Sequence, residues 1–451
     1  MNRLQSVVFG LVLYYLCSIS PAFAEVTNHQ IFYRQDKRAP LTRIDIVFLG
    51  AGSNRELPSQ NGLAAIASKL IWKGIKKRGY IDQLAVLGTE LYVFANTTSL
   101  TVSISTLSEN CAESIEIVRD SIHNFEFSES DLEDVKKREV TNYRNDRERN
   151  TTNLMRNFAL ARTKGIKKLR SLKTLKNLSA KDIRQYYARL QKTEVVFFKV
   201  LSNRDSTEIT KMLRPIIEKR EVRRQAGGFV HSLAPSEANY YFGPSAFVFE
   251  NYSNLKNVFC YWLIPYGSIG ETNYISPMIS MTLGRYGARG LLYKYFREEL
   301  GLVYSPACDY RSSKNIRFLE IYADPQLQNS EELIAKMSDF IRGLSDSPRF
   351  WEKIKELREN SNIVYAHVHE RLTPQQRLNR EVYSAIYNPP IRKGGYDSVT
   401  DEEVYAFLEK LFVPENMIMI FVGPKDHIID ILNKHLPEVD IRVHDTKELI
   451  E

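Results

Sequence analysis

Gly62-Leu63-Ala64-Ala65-Ile66-Ala67-Ser68-Lys69-Leu70-Ile71-Trp72-Lys73-Gly74 is the stretch around which the chain is organised. Leu63, Ile66, Ala67, Leu70 and Ile71 fall at i, i+3, i+4, i+7 and i+8, the apolar stripe of an amphipathic helix. Before it, residues 44–49 read as a strand and Gly50-Ala51-Gly52-Ser53 as a turn. After it, residues 81–87 read as a short helix closed by Gly88, and residues 90–95 and 100–105 alternate as a hairpin. Residues 111–125 are amphipathic, and Ser128 to Asp131 open a long charged helix that runs to about Arg149.

The chain then repeats itself. Ser179, with Asp182 three residues on, caps a helix containing Ile183 and Tyr186, and an apolar strand follows at 195–202. Thr400, with Glu403 three residues on, caps a helix containing Val404 and Phe407, and a strand at 417–423 follows, matching the first strand without a gap. Further upstream, Gly52-Ser53 after the strand at 44–49 matches Gly267-Ser268 after an apolar strand at 258–264. The pattern predicts an α+β fold of two homologous domains, each an antiparallel sheet with helices packed on one face. They span residues 25–225 and 242–451, joined by a linker of small and turn-forming residues at 226–241.

The strand, glycine turn, polar loop and helix of the first domain resemble the opening of the pitrilysin/insulinase family of zinc metallopeptidases. The resemblance covers nearly the whole chain after residue 24 and implies the family's clamshell of duplicated domains. It also implies an inverted zinc motif, H-x-x-E-H, on the helix at 62–74: two His hold the metal and the Glu activates water. Those positions here are Ala65, Ser68 and Lys69. Ala65 has no lone pair, Ser68 is no general base near neutral pH, and Lys69 is a cation. The family's third ligand, a Glu on the long charged helix, aligns with Asn142, with Glu139 one turn away. The helix is retained and its metal chemistry is gone.

A complementary part of the family's site survives in the second half. Leu283-Gly284-Arg285-Tyr286-Gly287 leads into residues 291–305, which carry Arg297 and, seven residues later, Tyr304. This resembles the family segment whose Arg holds substrate and whose Tyr hydroxyl donates to the oxyanion of the attacked peptide carbonyl. Read alone, Arg297 beside Glu298 and Glu299 is a surface ion pair and Tyr304 is core. Gly284, Gly287 and Gly290 lack the strand and lysine context of a phosphate loop.

Residues 1–24 read as a secretory signal: Arg3, an apolar run at 7–17, and a small-x-small ending at Ala22-Phe23-Ala24. This predicts a periplasmic chain with no stable membrane insertion, since the run is too short for a comfortable span. Of four cysteines, Cys111, Cys260 and Cys308 follow the signal. That is no disulfide scaffold; Cys260 and Cys308 both lie in strand-like runs and could pair, but free, buried cysteine is the default expectation. Basic residues cluster at 164–181 and 214–224; such runs are usually a solvated face, the alternative being contact with an acidic partner or an anionic lipid surface. No nucleic-acid module is recognisable. His367 and His369 stand on different helix faces, and the remaining histidines form no constellation.

The expectation is therefore a zinc-less subunit of a periplasmic heterodimeric peptidase, inactive alone. It would supply Arg297 and Tyr304 to a zinc-bearing homologue and act on unfolded peptide. No cofactor is expected in this chain; the zinc is expected in the partner. Peptide would add as a strand near residues 90–105 or their counterpart at 316–323. The alternative is a non-enzymatic peptide-binding or structural assembly protein of the same fold. A stand-alone hydrolase with other ligands is disfavoured because nothing replaces the missing imidazoles.

Overall fold

A computed structural model describes residues 31–96, 98–149, 151–164, 172–192, 196–218, 244–250, 256–266, 275–284, 290–313, 316–361, 372–387 and 396–445. Residues 1–24, read above as a secretory signal, residues 226–241, read as a linker, Gly287 and the pair His367 and His369 lie outside the described residues.

The first half contributes β1 (Ile31–Gln35), β2 (Leu41–Leu49), β3 (Glu90–Ala95), β4 (Ser99–Leu107) and β5 (Val196–Ser202). Its helices are α1 (Leu63–Lys77), α2 (Tyr80–Val86), α3 (Cys111–His123), α4 (Glu129–Arg149), α5 (Thr151–Lys164), α6 (Leu172–Asn177), α7 (Ala180–Gln191) and α8 (Ser206–Glu218). The second half contributes β6 (Ser245–Glu250), β7 (Phe259–Pro265), β8 (Ala307–Ser313), β9 (Ile316–Ala323), β10 (Ile418–Gly423) and β11 (Asp440–Asp445). Its helices are α9 (Ile275–Leu283), α10 (Ser330–Arg342), α11 (Pro348–Glu359), α12 (Pro374–Tyr387), α13 (Asp401–Leu411) and α14 (Lys425–His435), with a π-helical turn at Tyr293–Glu299.

The first sheet runs β1-β5-β2-β4-β3 and the second β11-β6-β10-β7-β9-β8. Apart from β11, the two orders are the same order. Most pairs are antiparallel, but β1 lies parallel to β5 and β6 parallel to β10 in both repeats. The sequence pattern cannot distinguish these, since a strand buried on both faces reads alike in either pairing. The matched caps also hold. Ser179 and Asp182 form a reciprocal capping box on α7, and Thr400 and Glu403 form one on α13. Ile183 and Tyr186 are buried beneath the first, Val404 and Phe407 beneath the second.

The two halves exchange a helix. From the first half, α5 packs on the second sheet: Phe158 meets Phe249 edge-on at 5.9 Å and His444 at 4.8 Å. From the second half, α12 packs on the first sheet, where Leu378 and Val382 are buried with Val47, Leu49 and Phe197. Arg156 of α5 also pairs with the buried Glu320 of β9 at 2.6 Å, and Arg311 holds the other oxygen of that carboxylate at 2.7 Å.

Cys111, Cys260 and Cys308 are buried free thiols. Cys260 on β7 and Cys308 on β8 are separated by β9, which pairs with both strands. They are thus two strand spacings apart, roughly 9–10 Å, beyond disulfide reach. Burial pushes the Cys111 thiol up to about 11 and raises those of Cys260 and Cys308 as well.

Candidate functional site

Helix α1 begins at Gly62, whose φ of 100° is left-handed. The buried Glu56 carboxylate accepts from the Gly62 N–H at 2.8 Å and the Ala64 N–H at 2.7 Å, so it caps two otherwise orphaned donors. Tyr186 donates its hydroxyl to the Ala51 carbonyl at 2.5 Å, tying the capped helix of the repeat to the glycine turn. Leu63, Ile66, Ala67, Leu70 and Ile71 are all buried, as their spacing predicts.

The metal-motif positions are occupied by other contacts. Ser68 is buried and donates to the Ala65 carbonyl one turn back at 2.9 Å. Lys69 forms an ion pair with Glu139, which is 3% exposed, and the Asn142 side-chain amide donates to the same carboxylate oxygen at 3.1 Å. Lys69 thus begins a ladder. Lys73 meets Asp131 at 2.9 Å and Asp134 at 2.8 Å, and Lys77 meets Asp131 at 2.6 Å. Lysines every four residues on α1 face acids of descending number on α4, as two antiparallel helices require. This donor set does not fit a zinc ion. Lys69 brings an ammonium, and that ammonium already neutralises the buried Glu139. Among the described residues no group of three or more His, Cys, Asp or Glu is placed to hold a metal.

In the second half, Gly290 sits so close to Gly284 that a Cβ at Gly290 would lie 2.2 Å from the Gly284 Cα. That backbone contact, and not a phosphate, explains these two glycines. The chain then enters the π-helical turn carrying Arg297, which closes with Leu302 N–H donating to the Phe296 carbonyl at 2.9 Å across Gly301 at φ 66°. Leu302 and Val303 are buried while Tyr304 is 73% exposed. The Arg297 guanidinium lies over the Tyr304 ring, 4.1 Å from its centroid. Glu299 pairs instead with Arg349 at 2.6 Å. Arg297 is therefore no surface ion pair with its neighbours, and Tyr304 is no core residue.

The sequence profile described as Insulinase (Peptidase family M16) matches residues 31–191, and that described as Peptidase M16 inactive domain matches residues 177–357. The chain belongs to the pitrilysin/insulinase family. Among curated proteins, none matches its sequence significantly. A peptidase M16 inactive domain from Pseudomonas fluorescens superposes with a TM-score of 0.71 at 14% identity, over 88% of this chain and 96% of that one. The periplasmic protease PqqL from Escherichia coli gives 0.68 at 13% identity, over 92% of this chain but 49% of that one. The first half of PqqL, taken alone, is covered over 96% of its length. Pitrilysin gives 0.66 at 14% identity, over 88% of this chain and 44% of that one. At these identities the likeness is one of fold, and this chain spans about half the length of PqqL and of pitrilysin.

Within this family fold, Lys69 and Asn142 share Glu139, while Arg297 stacks on Tyr304. Among the described residues no hydrogen bond or ion pair joins the two groups. Sequence reading placed Glu139 only as a neighbour of the ligand position. The signal that would have found its role is the four-residue lysine spacing at 69, 73 and 77 set against acids at 131, 134 and 139. The proposed counterpart edge at 316–323 is corrected: β9 lies inside its sheet between β7 and β8, and β8 is the edge. In the first sheet the edges are β3 and β1, and β4 is internal. Among the described residues no helix is long and apolar enough to cross a membrane.

Proposed function

We propose that this chain is the metal-free subunit of a two-chain pitrilysin-type peptidase in the periplasm, lending Arg297 and Tyr304 to a zinc-bearing homologue. The observation that carries the reading is the stack of Arg297 on the exposed ring of Tyr304. Here the ring is held by a cation, and the hydroxyl has no hydrogen-bond partner among the described residues. Such a hydroxyl can donate to a peptide carbonyl oxygen as negative charge develops on it, and the guanidinium can hold a nearby backbone carbonyl or carboxylate. The donor set around Lys69 argues that the metal comes from another chain. The match to half of PqqL supports a unit built to work beside a second unit of the same fold. The periplasmic assignment rests on the signal-like residues 1–24.

The test is a peptidase assay on the chain alone, on a zinc-bearing homologue alone, and on the mixture, with Tyr304→Phe in parallel. Activity confined to the mixture and lost with Tyr304→Phe is expected. A homologue that cleaves equally well without this chain would sink the reading. In that event the non-enzymatic alternative stands, and it has its own support: an open strand edge beside an aromatic, cationic cavity.

A further inference from the structure

A cavity of about 390 Å³ opens at the rim of the first sheet, between α1, α4 and β3. Its charged lining side chains are Lys69, Lys73 and Arg138, and its aromatic ones are Trp72, Tyr92 and Phe94. Among the described residues no carboxylate lines it. The acids that hold Lys69 and Lys73 belong to the ladder on α4, and Arg138 has no ion-pair partner among the described residues. Glu90, the acid on β3, is exposed and receives the Tyr92 hydroxyl at 3.3 Å. Tyr92 and Phe94 are 55% and 47% exposed, large apolar area left open on a soluble surface.

Among the described residues β3 pairs only with β4, so its outer edge offers backbone donors and acceptors unpaired within that set. The cavity touches the third to fifth residues of this six-residue strand. A peptide pairing along β3 therefore brings an internal side chain, and not its terminus, to the cavity mouth. We propose that the cavity receives the carboxylate of an internal Asp or Glu of an extended peptide laid along β3, so that cations fill the place where other family members keep a metal. Aromatic walls pack the side-chain stem, and Arg138 supplies the uncommitted fork for the carboxylate. The inference rests on the reading that the chain handles extended peptide; it does not depend on the roles of Arg297 and Tyr304.

The test is fluorescence anisotropy on the full purified chain with end-blocked, labelled β-forming peptides that differ by a single central Glu or Gln. The Glu peptide is expected to bind about 10-fold tighter, from one charge-assisted contact of ~1.5 kcal/mol, with the gap shrinking at high salt. Arg138→Gln should remove most of that preference and leave the Gln peptide unchanged. Binding of the Glu peptide should also alter the emission of Trp72, absent in Trp72→Phe. Equal affinities, no binding of either peptide, or a preference untouched by Arg138→Gln overturns the proposal. So does binding that requires an unblocked C-terminus, which would mean capture of a terminal carboxylate. The cleavage assay with Tyr304→Phe is read separately, so either idea can fail while the other stands.

Discussion

Arg297 and Tyr304 face each other across a glycine-closed turn, with the guanidinium carbon 4.1 Å from the ring centroid. The cation sits on the electron-rich face, which orients the ring and leaves the hydroxyl outward. Tyr304→Phe keeps the ring and the stack and removes only a hydroxyl with no partner among the described residues. Its melting temperature should match the wild type within error, while the rate of the mixed peptidase should fall by about 10²–10³-fold. Arg297→Lys retains charge but loses the planar fork, so KM should rise more than kcat falls. A Tyr304→Phe variant that melts early and cleaves normally would reverse this assignment.

On α1 the ammonium of Lys69 pairs with Glu139, whose carboxylate is buried against it. Lys69→Met should destabilise the chain by about 2 kcal/mol, because it removes the counter-charge of a desolvated carboxylate that Asn142 alone does not neutralise. The half-exposed lysine keeps that figure below the range for fully buried pairs. Adding Glu139→Gln should restore most of the loss, since the amide needs no counter-ion. Urea denaturation of both singles and the double closes the cycle. Purely additive effects would mean that the pair is not coupled.

Much of this was legible beforehand for a definite reason. The apolar face of α1 and the two capping boxes depend on contacts within a few residues, and there local spacing decides the outcome. The exchange of α5 and α12 was not legible. Met155, Phe158 and Leu160 would make the same amphipathic pattern whichever sheet they covered. The edge position of β8 and not β9 was hidden likewise, because alternation reports half-burial and says nothing of which neighbour is missing. The π-helical turn at Arg297 left no sign in composition. Yet the surrounding glycines pointed to the segment, and the positive φ of Gly301 and the contact of Gly290 account for them.

Those two glycines should differ sharply on substitution. At Gly290 an added Cβ would meet the Gly284 Cα at 2.2 Å and the Leu283 carbonyl oxygen at 2.4 Å, both main-chain atoms. Gly290→Ala must push two backbone segments apart and should cost at least ~4 kcal/mol, enough to lower soluble yield. At Gly301 nothing lies within 4 Å, so Gly301→Ala carries only the left-handed backbone cost of about 1–2 kcal/mol. Thermal melts of the two variants side by side decide it, and equal losses would contradict the close approach at Gly290.

Asp131 gives the α1–α4 ladder a pH dependence of known sign. Burial acts to raise its carboxyl, but the hydrogen bonds from Lys77, the Ser128 backbone N–H and Lys73 outweigh burial and hold it well below the ordinary carboxylate range. In the unfolded chain the same group titrates near ~3.9. Above that pH both states are ionised and the stabilisation is complete. As the pH falls below it, the unfolded state takes up the proton first, and the contribution fades until the folded carboxyl is protonated too. Asp131→Asn should therefore be less stable than wild type by about 2 kcal/mol at neutral pH. The difference should stay constant down to about pH 5 and narrow steadily toward pH 2. Urea midpoints across that range test it. Two curves running parallel from neutral to acid pH would show that Asp131 contributes packing and helix capping but not charge.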